Sequence, residues 1–180
     1  TTVAATPVAD TYPAPLDRGA GLPSVERLGY LAEFAIAQLE GLSHLILGDR
    51  EHARPFFDRT AAAWGGGTDQ QVAALFDALD GRGDRKAFAR SLVAYPERSW
   101  KDPGSGNLLG DFEAPVLLML LGEPGLALDY VDRASRGNPI DLAWGVLMPS
   151  LDPIRCEPRF VAAVERLHLV DHRAAGLCTG

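Results

Sequence analysis

The sequence predicts an all-α fold of stacked antiparallel helical hairpins, closed by a C-terminal capping helix. Three observations support this class. Apolar residues recur at three- and four-residue steps in successive segments, the spacing of one face of an α-helix. Glycine-containing turns separate these segments at intervals that suit helix pairs. No segment alternates cleanly between apolar and polar residues, and β-branched residues are sparse, so strands are not expected.

The first hairpin is predicted over about residues 31–67, within a helical domain at 24–180. Residues 1–23 carry four prolines among Ala and Thr, which predicts an extended linker. Ser24 suits an N-cap, and a long helix follows with one apolar stripe: Leu28, Leu31, Phe34, Ala35, Leu39, Leu42, Leu45 and Ile46. Gly48 and Asp49 end this helix, and the second helix carries Ala53, Phe56, Phe57, Thr60 and Trp64.

The second and third hairpins are predicted at about 68–96 and 107–139, separated by a Pro/Gly loop at 96–107. Residues 116–120 are apolar in a row. A helix that is apolar all round is usually buried on all sides, so we expect this one at the centre of the fold. A capping segment is predicted at about 151–175, where Phe160, Val164 and Leu167 form a stripe able to seal the last apolar face.

Small residues recur at a regular interval in the second helices of these hairpins. Ala53 and Ala87 lie thirty-four residues apart, and Ala127 follows forty residues later, the extra six fitting into the Pro/Gly loop. A small side chain at each position would let paired helices approach closely. Phe57 and Val131, four residues on from Ala53 and Ala127, would fill the space between hairpins.

With Gly41 in the first helix and Ala53 and Phe57 in the second, the chain resembles the tetratricopeptide-repeat family. The segment at 151–160 (LDPIRCEPRF) is similar to the one that closes many tetratricopeptide regions of bacterial multidomain regulators, such as winged-helix transcription factors and nucleotide cyclases. The resemblance implies a right-handed α-solenoid that serves as a protein-binding scaffold in a larger regulator. The DNA-binding, membrane and catalytic parts of those regulators have no counterpart in this sequence, so their activities do not transfer.

Composition excludes several classes of partner. The net charge is −7, the pI is about 5.0, and Lys86 and Lys101 are the only lysines, so nucleic-acid binding is not expected. No stretch approaches eighteen apolar residues, which predicts no direct membrane insertion.

The chain starts at Thr1 without a signal-peptide pattern, and we expect a piece of a longer or processed protein. The sequence does not decide between a periplasmic and a cytoplasmic location.

The search for reactive groups yields one ligand-like set, formed by Cys156, His168, His172 and Cys178. Zinc sites usually bring closely paired cysteines, which this set lacks. The favoured interpretation is therefore two unrelated cysteines and solvent-facing histidines, with no metal and no cofactor. No nucleophile elbow is present, so no catalytic residue is assigned and the chain is expected not to be an enzyme.

The favoured function is binding of a peptide or protein segment in a groove lined by the first helices of the hairpins. Polar positions judged to lie opposite the apolar stripes are the candidate peptide-binding residues: Gln38, Ser43, His44, Gln70 and Gln71. The alternative is a structural or oligomerisation domain that forms a homodimer. In that case the apolar surface of residues 113–121, or the C-terminal cap, would pack against a second copy.

Overall fold

The computed structural model describes residues 25–64, 68–94, 113–137, 142, 145–170 and 176–178. The linker at 1–23 and the Pro/Gly loop at 96–107 lie outside these residues. No strand occurs in the described ranges, so the all-α prediction is confirmed. The helices are α1 (Val25–Ile46), α2 (Arg50–Trp64), α3 (Thr68–Leu79), α4 (Arg85–Ala94), α5 (Glu113–Leu120), α6 (Pro124–Gly137), a 3-10 helix (Pro149–Ile154) and α7 (Pro158–Arg166).

Three helix pairs are joined by short turns that share one backbone motif. Gly48, Gly81 and Gly122 follow α1, α3 and α5 with φ angles of 79°, 73° and 72°. In each turn the glycine N–H and the next N–H donate back to two carbonyls in the last turn of the helix. This double hydrogen bond is the Schellman motif, and glycine suits it because it adopts positive φ without steric cost.

Each helix packs against the next one along the chain, from α1 on α2 through to α6 on α7. Helix α5 contacts α1, α4, α6 and the 3-10 helix, and all residues from Glu113 to Leu118 are buried. Its predicted central position is therefore confirmed. The contact between α1 and α5 joins the first and third hairpins, whereas a strictly one-dimensional repeat array has contacts only between neighbouring repeats.

The paired helices α1 and α2 approach each other closely at Gly41 of α1. A Cβ atom added there would lie 2.9 Å from Phe56 Cβ and 3.0 Å from Phe57 Cε2, so a hydrogen is all that fits. Ala53 and Ala127 are fully buried, as the periodicity predicts. The prediction for Ala87 is wrong, because that residue is exposed and Ala89 is buried instead.

The length of the preceding turn explains the shift at Ala87. Five residues separate α3 from α4, whereas three separate α1 from α2 and α5 from α6. Helix α4 begins thirty-five residues after α2, one residue later than the thirty-four-residue interval. The residue thirty-four positions after Ala53 therefore falls one position earlier in its helix than Ala53 does, on an exposed face.

The C-terminal end of the described fold consists of the 3-10 helix and α7. Pro158 begins α7, and Phe160, Ala163 and Val164 form its buried face, with α7 packed against α6. The corner between the two helices is fixed by Arg155, whose side chain is fully buried. Its guanidinium donates to Asp152 Oδ1 at 2.9 Å and to the Met148 carbonyl at 2.9 Å, and lies 5.5 Å from the centre of the Phe160 ring.

Candidate protein-binding surface

The structure places Gln38 in the core, not opposite the apolar stripe. Its side chain is 5% exposed and shares one helix face with Leu42 and Leu45, which follow at steps of four and three residues. The predicted accessible position of Gln38 is therefore wrong. Ser43 is exposed, and its hydroxyl donates to the Leu39 carbonyl one turn earlier, at 2.7 Å.

His44 belongs to a polar and aromatic cluster at the turn between α1 and α2. Its ring stacks with those of His52 and Phe56, at centroid distances of 5.8 Å and 5.6 Å, and its Nδ1 lies 3.4 Å from Asp49 Oδ2. His52 Nδ1 lies 2.9 Å from Asp49 Oδ1. The hydrogen bond between Asp49 and His52 lowers the pKa of Asp49 and raises the pKa of His52. The half-buried His44 is thus part of the packing at this turn.

Gln70 and Gln71 lie in the first turn of α3, which packs against α2 and α4. Gln70 is exposed on the side of α3 away from Val72 and Leu75, and Gln71 is half-buried. The five candidate residues therefore divide between two helices, and their role in binding stays a prediction.

The largest described helix, α1, carries an apolar stripe that faces solvent. Ile36, Leu39, Ile46 and Leu47 are 56%, 40%, 37% and 80% exposed. Ile36, Leu39, the exposed Ser43 and Ile46 follow the three- and four-residue steps of a single face of α1, and Leu47 lies in the turn directly after it. The opposite face, with Gly41, Leu42 and Leu45, is buried, so α1 is apolar on two sides.

Periodicity alone does not reveal this surface, because steps of three and four residues join two stripes of α1 into one. They connect Leu39 and Ile46 with Leu42 and Leu45, although at 100° per residue Leu39 and Leu45 point about 120° apart. The available signal was the angular width of the apolar sector, which is wider than a single buried face requires. An apolar sector of that width predicts either a fully buried helix or a helix with two partners.

The charges beside the stripe are acidic. Residues 36–47 contain the exposed Glu40 and no Lys or Arg, and Asp49 follows in the turn. The whole chain carries a net charge of −7. The stripe therefore lies beside one exposed carboxylate, that of Glu40.

The apolar surface expected at residues 113–121 for self-association is not on the surface. Glu113 to Leu118 and Leu121 are buried, and Met119 and Leu120 are half-buried. This expectation is wrong because neighbouring helices cover the segment. On α7 the apolar residues Phe160, Ala163 and Val164 are likewise buried.

A charged cluster fixes α7 on α6. Arg166 donates to Asp132 Oδ1 at 2.5 Å and to Ser135 Oγ at 2.9 Å, and Arg136 donates to the same Asp132 oxygen at 2.9 Å. Burial raises the pKa of Asp132, but the hydrogen bonds from Arg136 and Arg166 outweigh it and leave the pKa below its ordinary value. These charges are paired within the fold, so the cluster acts as a structural contact.

The ligand-like set of cysteines and histidines does not form a metal site in the described part of the chain. Cys156 and Cys178 are joined in a disulfide, so the interpretation as two unrelated cysteines is wrong and neither thiolate is available. His172 lies outside the described residues. Among those that are described, no group of three or more His, Cys, Asp or Glu is placed to hold a metal ion, and no helix combines the length and apolar character needed to cross a membrane.

Comparison with known proteins gives one short match. A segment of 48 residues, 27% of this chain, is 52% identical to a Mycobacterium tuberculosis (strain ATCC 25618 / H37Rv) protein provisionally described as acetolactate synthase large subunit IlvX. The matched segment spans 9% of that protein's length, an extent that establishes neither a family nor an activity for this chain. No protein-family model matches the chain, and no solved structure matches it.

Proposed function

We propose that this chain is a protein-interaction module of a larger bacterial regulator, which binds a polypeptide segment on tetratricopeptide-like helical hairpins. The observation that carries the proposal is the solvent-facing apolar stripe of α1, formed by Ile36, Leu39, Ile46 and Leu47. Contiguous apolar patches on a protein surface mark interaction sites more often than isolated apolar residues do.

The energetics of this stripe favour a bound partner. Covering a Leu or Ile side chain completely contributes roughly 1.5–3 kcal/mol, so covering the remaining exposed parts of four such residues can support a binding event. The spacing of the stripe matches the way an amphipathic helix is recognised, with apolar side chains meeting at steps of three and four residues.

The exposed carboxylate of Glu40 and the net charge of the chain favour a partner segment of positive charge. Glu40 lies beside the stripe, and no Lys or Arg occurs between residues 36 and 47. A partner segment with Lys or Arg flanking its apolar residues would be attracted to this surface and to the net charge of −7. We therefore commit to a basic amphipathic segment as the occupant.

A second copy of this chain is a poorer occupant of the same surface. Two copies would bring together two Glu40 side chains and two molecules of net charge −7. Like charges of this kind oppose association. Self-association through α1 is accordingly an outcome that would contradict the proposal.

The tetratricopeptide-like arrangement is supported by the shared glycine turns at Gly48, Gly81 and Gly122 and by the close approach at Gly41. The predicted groove residues are less favourable for binding, since Gln38 is buried and His44 packs at the turn. Ser43 is the one predicted residue within the α1 stripe. The proposed contact surface is therefore the outer face of α1 and not the faces that line a concave groove.

Selection from a displayed library of random peptides tests this function with a defined probe. We expect the enriched peptides to combine apolar residues at helical spacing with Lys or Arg, and to bind the full chain in fluorescence anisotropy. The double substitution Leu39→Glu and Leu47→Glu should weaken binding at least about tenfold, or about 1.4 kcal/mol. Gln70→Glu, an exposed change on α3, adds the same kind of charge away from α1 and should leave binding nearly unchanged.

Two results would overturn the proposal. One is enrichment of peptides whose binding is insensitive to the α1 double variant but sensitive to Gln70→Glu. The other is a concentration-dependent dimer, seen by analytical ultracentrifugation, that the α1 double variant abolishes.

A further inference from the structure

The two cysteines of the chain join its C-terminal end to the corner between the 3-10 helix and α7. Cys156 lies in that corner, directly after the buried Arg155, and Cys178 is the third residue from the end of the sequence. Their Cα atoms are 5.3 Å apart and their sulfur atoms are bonded, across a separation of 22 residues. The bridge therefore spans the whole of α7.

Both bridged residues are exposed, and so is Leu177 beside Cys178. Thiol–disulfide exchange requires a thiolate to reach one sulfur, and exposed bridges are the ones that react. A buried structural disulfide would be protected from this attack.

Helix α7 has its own means of attachment to the fold. Phe160 and Ala163 are fully buried, Arg159 donates to Asp129 Oδ1 at 2.8 Å, and Arg166 donates to Asp132 and Ser135. Breaking the bridge would leave all these contacts in place. What the bridge adds is a covalent attachment for residues 176–178.

We propose that Cys156 and Cys178 form a reversible redox site, a latch that holds residues 176–178 against the Cys156 corner and releases them on reduction. The reductant is a dithiol. One of its thiolates attacks a sulfur of the bridge, the bond between Cys156 and Cys178 breaks, and a mixed disulfide forms. The second thiolate of the reductant then displaces the remaining protein thiolate. The protein gains two electrons and two protons as two thiols, and the dithiol becomes its own disulfide.

This latch is independent of the α1 surface and of any partner bound there. The test therefore uses the full chain alone, with dithiothreitol as the dithiol. Intact mass spectrometry of the untreated chain should show a mass about 2 Da below that of the dithiol form, the loss of two hydrogens, with no alkylation by iodoacetamide. Dithiothreitol without denaturant should restore both hydrogens and allow two alkylations.

Hydrogen exchange then locates what the latch holds. Reduction should increase amide exchange after Arg166 and leave α5, α6 and the Phe160 region unchanged. The Cys156→Ser and Cys178→Ser double variant should match the reduced chain and show no response to dithiothreitol. The matched comparison of oxidised and reduced wild-type protein keeps the test valid if that variant folds poorly.

Three results would each overturn the proposal. The chain could still carry two free thiols after exposure to oxidised glutathione. The bridge could resist dithiothreitol until denaturant is added, which would make it an inert structural bond. Finally, reduction could raise exchange throughout α6 and α7, which would show that the bridge holds the fold itself.

Discussion

Gly41 and the two phenylalanines facing it set the distance between α1 and α2. The added Cβ of an alanine would meet Phe56 Cβ at 2.9 Å, an atom near the backbone that cannot swing away as the end of a long side chain could. The resemblance to tetratricopeptide repeats places a small residue at this position, and the geometry gives the physical reason for it.

Gly41→Ala should therefore destabilise the protein although alanine is the better helix former. Overpacking costs about 1–3 kcal/mol, and replacing a mid-helix glycine returns about 1 kcal/mol. We expect a net loss of about 1 kcal/mol in chemical denaturation. Gly125→Ala is the control, since Gly125 lies in α6 with open space around it and should be unchanged or stabilised. If the two substitutions changed the unfolding free energy equally, the close approach of α1 and α2 at Gly41 would be contradicted.

Ala87 and Ala89 provide a matched pair within α4. Ala89→Leu should cost about 1–3 kcal/mol because the side chain is fully buried. Ala87→Leu should change the unfolding free energy by less than about 0.5 kcal/mol because Ala87 is exposed. Thermal and urea unfolding of the two variants measure this difference. If Ala87→Leu lowered the unfolding free energy more than Ala89→Leu did, the thirty-four-residue spacing would hold in α4 and its structure would be contradicted.

At the scale of helices and turns, the sequence predicted most of the fold from a few local signals. Gly48 and Asp49 marked the end of the first helix, and the unbroken apolar run at 116–120 identified the central helix. These elements are predictable from sequence because a helix end depends on the local backbone, and a run of apolar residues depends on the average burial of its segment. The position of α4 was predicted poorly because a turn two residues longer moves every later side chain around the helix axis.

The turn between α1 and α2 should make stability depend on pH. Asp49 raises the pKa of His52 above its ordinary value of 6.5, so the stabilisation from this pair is fully present below 6.5 and is lost as pH rises through the raised pKa. The pKa of Asp49 is lowered from 3.8, so its contribution is fully present above pH 3.8 and is lost as pH falls through the lowered pKa. The pair therefore stabilises the fold fully between pH 3.8 and pH 6.5, the ordinary pKa values of the two groups.

Substitution of His52 tests the direction of this effect. His52→Asn should lower the melting temperature more at about pH 5 than at about pH 9, relative to the wild type at each pH. His168→Asn serves as the control, since His168 is exposed and has a φ of 55°, which Asn tolerates. The assigned hydrogen bond would be contradicted if the variant lost more melting temperature, relative to the wild type, at the higher pH than at the lower.

The terminal helix α7 depends on Phe160 for its attachment. Phe160→Ala should cost about 3–5 kcal/mol, the range for truncating a buried aromatic side chain. Val161→Ala, one residue away on the exposed side, should cost less than about 1 kcal/mol. Urea unfolding followed by circular dichroism compares the two. A loss below about 1 kcal/mol for the Phe160 variant would show that α7 is peripheral to the stability of the fold.

Considered as a whole, the molecule is an acidic helical protein whose apolar residues mostly point inward. The candidate site was harder to predict than the helices, because accessibility depends on contacts distant in sequence. Gln38 is polar yet buried, whereas Leu39, Ile46 and Leu47 are apolar yet exposed. Helical phase could have separated these sets on α1, but only the structure shows that α5 reaches α1 and which face is left to solvent.

Methyl NMR of the full chain tests the central claim, which is that the outer face of α1 binds a basic polypeptide segment. We expect a selected basic peptide to shift the methyl resonances of Ile36, Leu39, Ile46 and Leu47 in a saturable manner. Val161 and Leu177 serve as controls, because they are comparably exposed apolar residues elsewhere in the fold and should not move. Shifts confined to those controls, or α1 shifts that follow protein concentration without peptide, would contradict the claim.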